Sequence, residues 1–446
     1  MKEALWLVEV SLEKAMGLPA ILEQLEPRSP WGRDRKAALR PFAPADAPEL
    51  MDALSAVEDA KKLDDERLSV ILARFREIRG ALAALKGGAL SEAELFEMKR
   101  FLLNAERLRE MLEGQPSGAR FALPELEGAL GALDPTDTRD PAFSAARSDA
   151  ALRDILRRKM ALLPDSPAYA ELLDEERRAL ERALCVISDR LRPYAAQLEA
   201  AIQAIGKLDF ALAKARLAER FGGVRPVFGG GELILTELIN PSLAGFQTIS
   251  FRFARGATVL TGANMGGKST ALMAVALNVR LALMGLYPFA REVCLPHFSA
   301  ICLIAGDTSR DGLSEFGAQA ARLLEALGYA GGDALILVDE LARGTNPEEG
   351  AAIAAAVCEY LQGMPAVSVL TTHFRGVSEC AGAHYRAKGR LPGEAAGPDD
   401  YRFERVSGAL DPPRQALCVL EALGLPMEIL VRAKELVDRN PQGAVE

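Results

Sequence analysis

Histidine is almost missing from this chain, with three in 446 residues, too few for a His-rich metal site. The six cysteines, Cys185, Cys294, Cys302, Cys358, Cys380 and Cys418, are scattered. None falls in a C-x-x-C pair or a zinc-like spacing, which argues against a disulfide framework and suits a reducing compartment. A basic excess is also lacking, since the formal net charge is −9. Duplex-binding surfaces are usually basic, because phosphate contacts supply most nonspecific affinity. A local patch could still suffice, so the charge lowers the expectation of DNA binding without removing it. Long apolar runs are missing as well. Met1-Lys2-Glu3-Ala4-Leu5-Trp6 lacks the apolar core of a signal peptide. The most apolar stretch, Ala271 to Ala290, is broken by Asn278 and Arg280 and fits a buried core helix better than a membrane span. Together these absences point to a cytoplasmic protein.

What is there is an ordinary globular balance, 49% hydrophobic and 26% charged, in a chain with room for two or three domains. Its grammar changes near residue 225. The first part is rich in Ala, Leu, Glu and Arg, with apolar residues three and four apart. Leu68, Ile71, Leu72, Phe75 and Ile78 share one face of a predicted helix. Ser91-Glu92-Ala93-Glu94 fits a capping box opening a second helix. Gln115 to Gly118 and Asp134 to Pro141 are turn or linker material, and a long helical run is predicted from about Asp165 to Phe221. Residues 1–222 therefore form an all-α domain.

Residues 223–446 alternate short apolar runs with helices. Predicted strands are Gln247–Phe253, Ala257–Thr261, Phe298–Ile304, Ala334–Asp339 and Val367–Thr372. Predicted helices are Gly267–Met284, Glu315–Leu327, Pro347–Gln362 and Pro426–Asp438. This pattern implies a mainly parallel sheet covered on both faces, an α/β domain.

One strand, Ala257 to Thr261, runs into the turn Gly262-Ala263-Asn264-Met265-Gly266-Gly267 and then a helix from Lys268. That order is the Walker A, or P-loop, arrangement. Glycines let backbone N–H groups curl toward phosphates, and the helix N-terminus adds partial positive charge. Lys268 would reach the β and γ phosphates of ATP, and the Ser269 hydroxyl, followed by Thr270, would ligate Mg²⁺. The strand Ala334-Leu335-Ile336-Leu337-Val338 ends in Asp339-Glu340, as Walker B requires. Asp339 would serve the Mg²⁺ water shell and Glu340 would orient or activate the attacking water. Taken alone, Asp339 also fits a helix N-cap; paired with the lysine loop, it fits the metal role. His373, after the strand Val367 to Thr371, could contact the γ phosphate or the lytic water, or be a loop histidine satisfied locally.

Thr261-Gly262-Ala263-Asn264-Met265-Gly266-Gly267-Lys268-Ser269-Thr270 resembles the P-loop of the MutS mismatch-repair family, whose mark is Asn-Met-Gly-Gly. Asp339-Glu340-Leu341-Ala342-Arg343-Gly344-Thr345 is similar to its Walker B continuation, and Thr372-His373-Phe374 to its Thr-His-aromatic switch. Gly424 to Lys434 resembles its helical dimerisation tail. In the first half, Ser29-Pro30-Trp31-Gly32-Arg33 and Lys86-Gly87-Gly88-Ala89-Leu90-Ser91 resemble the family's helical core. The resemblance implies an ABC/MutS-type P-loop NTPase preceded by a core and lever domain, acting as a homodimer with composite sites. Lys268, Ser269, Asp339, Glu340 and His373 would serve one nucleotide. Gly312-Leu313-Ser314-Glu315-Phe316 matches the signature loop, and Ser314 would close over the partner's nucleotide. One departure is Gln319, where the family usually has Glu. Ile239-Asn240-Pro241 lies where adenine contacts would be sought.

On the same likeness, mismatch-reading, connector and nuclease-like parts are expected to be absent. Phe75-Arg76-Glu77 matches the Phe-x-Glu pattern of mismatch readers, but Phe75 sits on an apolar helical face and reads as core. The lever helices, the first resembling Ser148 to Ile155, join directly through Leu162-Leu163-Pro164-Asp165-Ser166-Pro167, where a DNA clamp would be inserted. In that build the chain is similar to short MutS-related ATPases found beside cobalamin-dependent aminomutases, which are thought to reactivate those enzymes. Two functions follow from the likeness. One is an ATP-driven switch whose helical arms remodel a protein partner, and the other is an ATP-gated DNA-binding protein of repair or recombination.

Overall fold

The computed structural model describes residues 5–439 apart from 9, 135–138, 141, 164–165, 263–266, 306–314, 343–344, 375, 388–402 and 407–425. The chain opens with β1 (Leu5–Leu7), α1 (Val10–Ala15), α2 (Leu18–Glu23), α3 (Pro30–Ala37) and α4 (Ala47–Ala60). There follow α5 (Asp65–Leu72), α6 (Arg79–Gly87), α7 (Glu92–Glu113), α8 (Glu127–Leu133), α9 (Ala150–Met160), α10 (Pro167–Leu191) and α11 (Ala195–Phe221). Next come β2 (Val227–Phe228), β3 (Leu233–Leu238), β4 (Ile249–Phe253), β5 (Gly256–Thr261), α12 (Lys268–Leu283), β6 (Glu292–Leu295) and β7 (Ala300–Ile304). The remaining elements are α13 (Glu315–Leu327), β8 (Ala334–Val338), α14 (Pro347–Gln362), β9 (Val367–Thr371), β10 (Ala383–Ala387), β11 (Phe403–Val406) and α15 (Met427–Arg439).

The compact units do not divide at 222/223. One unit holds residues 25–39 and 55–216, and the other holds 1–24, 40–54 and 217–446. The physical reason lies at the N-terminus, where β1 pairs in parallel with β7, Leu5 opposite Ala300, and so extends the large sheet of the second unit.

In the helical unit, Trp31, Phe75 and Phe101 pack as a triangle with ring centroids 5.6–5.7 Å apart. This cluster corrects the reading of Leu68 to Ile78 as one helix. The helix α5 stops at Leu72, and Phe75 leaves it to enter the aromatic cluster, where it is buried. Core packing of Phe75 stands, although its helical placement does not. The predicted capping box at α7 is present, with Ser91 accepting from Glu94 N–H and the Glu94 carboxylate accepting from Ser91 N–H. The long run after residue 165 is two helices, broken at Pro193 by a 3₁₀ turn, because proline has no N–H to continue the ladder. Six residues join α9 to α10, and the pair is laced by Arg158–Glu175 (3.6 Å) and Lys159–Glu176.

Asp209 on α11 is fully buried and accepts from Arg28 N–H (2.9 Å), Ser29 N–H (2.7 Å) and the Ser29 hydroxyl (2.6 Å), fastening the start of α3. Asp209→Ala strands two backbone donors, each worth about 1–3 kcal/mol when left unpaired. Thermal denaturation is expected to show a Tm lowered by several degrees, and an unchanged Tm would show that water replaces the carboxylate.

In the other unit, seven strands run in the order β1-β7-β8-β9-β5-β10-β11, all parallel except β11. The strands β5, β7, β8 and β9 are buried along their whole length, the signature of a sheet covered on both faces. Val259, Cys302, Ile336 and Leu370 pack with Leu323 and Ala326 of α13 and Ala354, Cys358 and Leu361 of α14. A second sheet has the order β2-β6-β3-β4. Among the described residues no helix is long and apolar enough to cross a membrane.

Candidate functional site

Because β8, β9 and β5 are adjacent and parallel, their carboxyl ends lie along one edge of the sheet. From β5 the chain turns through Gly262, whose φ is 141° and where a Cβ would lie 2.7 Å from Cβ of Ala387, so no side chain fits. Gly267 then takes a left-handed φ of 78° as the N-cap of α12. This geometry brings Lys268 back over the turn. Its ammonium donates to the Gly262 carbonyl at 2.8 Å, and the residue is only 4% exposed. Burial pushes the lysine below its ordinary pKa, while Glu340 and Asp339 act to raise it. Ser269 and Thr270, the next residues on α12, are exposed.

Asp339 and Glu340 follow β8 and are half-buried. The Thr371 hydroxyl, at the end of β9, donates to Asp339 Oδ1 (2.7 Å) and accepts from Glu340 N–H (2.9 Å). One hydroxyl therefore ties the two acidic residues to the neighbouring strand. The turn beyond is strained, with φ of 46° at Glu340 and 61° at Ala342, neither of them glycine. The side chain of Gln319 clasps this turn from α13. Beyond Thr371, His373 is exposed and its ring lies 4.4 Å from that of Phe374.

Beside the N-terminus of α12 lies a cavity of about 190 Å³, lined by Leu243 to Gln247, Ile249, Gly267, Thr270, Ala271 and Phe403. The connection from β3 to β4 forms most of it. Asn240 anchors that connection, its amide donating to the Met16 carbonyl (3.1 Å) and its oxygen accepting from the Ser242 hydroxyl (2.6 Å). Asn240 is thus a fully buried structural residue, and the cavity-facing positions lie a few residues later.

Residues 258–439 match the family profile described as MutS domain V. These residues belong to the MutS family. An "Endonuclease MutS2" of Thermomicrobium roseum is 29% identical over 89% of this chain and 55% of its own length. Another, of Pelotomaculum thermopropionicum, is 30% identical over 62% of the chain and 36% of its own length. A third, of Solidesulfovibrio magneticus, is 32% identical over 62% and 37% respectively. The chain spans about a third to just over half of the length of these curated relatives.

Within the MutS-type half, the structure brings Lys268, Asp339 and Glu340 to one edge, with Gly262, Gly267, Ser269, Thr270 and His373 on the turns and helix start that flank it. Ala263, Asn264, Met265, Gly266 and Ser314 lie outside the described residues. Reading the chain alone missed Thr371 as a bridge. Its only signal was a hydroxyl at the carboxyl end of a mostly apolar strand that also holds Ser368. The loop 243–249 and Phe403 were missed as well, because nothing local marks a cavity wall assembled from distant segments.

Proposed function

We propose that this chain is a P-loop ATPase of the MutS type, working as a homodimer in which ATP turnover moves helical arms that act on a partner protein. The observation that carries the site is the meeting of a desolvated lysine and a paired Asp-Glu at the carboxyl ends of β5 and β8, which flank β9. The residues fit Mg·ATP. Lys268 and the backbone donors at the α12 N-terminus suit phosphates, and the cavity beside them, with Phe246, Ile249 and Phe403 in its wall, suits an adenine ring. Asp339 and Ser269 would hold Mg²⁺, which supplies charge neutralisation at the phosphates. Glu340 orients or deprotonates the attacking water. Ser314 is assigned the contact with the partner's nucleotide. The exposed Met427, Ile429 and Val431 on α15 support self-association through that helix.

The arms carry the choice of partner. From Ala150 to Leu191 the α9–α10 hairpin holds eight basic and eight acidic side chains, and Arg158 and Lys159 are paired with Glu175 and Glu176. At its tip Met160 and Leu163 are 87% and 79% exposed. A balanced surface with an apolar tip favours protein over phosphate backbone. The second reading, an ATP-gated DNA-binding protein, is favoured by the name of the relatives, "Endonuclease MutS2". Steady-state ATP turnover with and without duplex or branched DNA, at low and physiological salt, separates the two. We expect basal turnover that DNA leaves unchanged. Stimulation that falls as salt rises would place the protein on DNA.

A further inference from the structure

Gln319 lies on α13, five positions after Ser314 in the sequence, and its side chain is buried. The amide nitrogen donates to the Asp339 carbonyl (3.1 Å) and the Glu340 carbonyl (3.3 Å), while the amide oxygen accepts from Ala342 N–H (3.0 Å). These three contacts span the whole strained turn, including both residues at positive φ. Each such residue costs of order 1 kcal/mol or more and persists only where its surroundings over-determine it. Thr371 holds the same turn from the β9 side. Only a side chain with both donor and acceptor capacity can make the three bonds. A carboxylate could take the Ala342 N–H, but it would face two carbonyl oxygens with nothing to donate.

We propose that Gln319 is a positioning residue for ATP hydrolysis. By clasping the backbone on either side of Glu340, it sets where that carboxylate stands and ties the turn to the helix that follows the signature segment. This inference rests on the ATPase reading above and adds a residue and a mechanism to it. It also explains why an amide is functional at a position where a carboxylate could not make the same contacts while ionised.

The test is kcat and KM for ATP at one pH, for wild type, Gln319→Met and Gln319→Ala, with binding of a fluorescent ATP analogue and the melting temperature in parallel. Methionine keeps the length of the side chain but has nothing to donate to the Asp339 and Glu340 carbonyls, so it removes the clasp and keeps the packing.

We therefore expect Gln319→Met to bind ATP within about threefold of wild type, with kcat lower by about tenfold. Gln319→Ala should lose kcat to a similar degree. A merely structural role would lower binding and melting temperature along with kcat, so a loss in kcat with both retained marks the positioning role. An unchanged kcat for Gln319→Met, or a loss confined to KM, overturns the proposal. A wild-type chain that binds no ATP overturns the ATPase reading itself, and a wild type that binds and turns over ATP isolates the question to position 319.

Discussion

Replacing Glu340 by Gln is expected to leave ATP binding intact while turnover falls by about 10²-fold or more. The change is nearly isosteric and removes only the negative charge and the proton-accepting capacity of the side chain. The contacts that shape the turn do not depend on that side chain, because Thr371 accepts from the Glu340 backbone N–H and Gln319 donates to its backbone carbonyl. The variant should therefore keep the local fold of the site and isolate the chemical role of the carboxylate. Phosphate release from saturating ATP reads the turnover, and fluorescence titration with an ATP analogue reads the binding. Unchanged turnover would move the catalytic role to another residue. A parallel loss of binding would mean that the carboxylate serves the bound state rather than the reaction. With trapping of this kind, the same variant is the natural bait for an ATP-dependent partner.

Lys268→Ala is expected to weaken ATP binding by about 10²-fold or more, since truncating one partner of a buried, hydrogen-bonded charge pair costs roughly 2–5 kcal/mol. The lysine is desolvated, and the helix start behind it is set by Gly267 and by the buried body of α12 rather than by the ammonium. Removing a buried charge also removes its desolvation cost, so the melting temperature should hold or rise slightly. The two readouts together distinguish a site defect from a folding defect. Tight binding by the alanine variant would contradict the assignment of the phosphate site to this turn.

Much of residues 223–446 was legible because its signals are local. The helices α13 and α14 have the limits that periodicity and Pro347 predict, and the strands β5, β8 and β9 agree with the predicted runs to within one residue at each end. The glycine turn before Lys268 and the acidic pair after β8 were legible for the same reason. Their chemistry depends on neighbours in the chain. The capping box at Ser91 belongs to this class too.

Other features depend on partners far away in sequence, and tertiary structure alone decided them. β1 carries only three residues and is a strand because β7 offers it an edge. β10, Ala-His-Tyr-Arg-Ala, has no apolar run and is a strand because β5 and β11 flank it. Phe75 fits a helical face by spacing, yet it leaves the helix for Trp31 and Phe101. At the proposed site, the sequence by itself supplied the groups whose chemistry suits phosphate and metal and the carboxylate beside them. Tertiary structure decided how those groups are held, by the Thr371 bridge, the Gln319 clasp and a cavity wall drawn from residues 243–249 and Phe403. The physical reason is that a motif records the groups the chemistry requires, whereas a hydrogen bond between distant segments leaves no periodicity or spacing in the chain to be read.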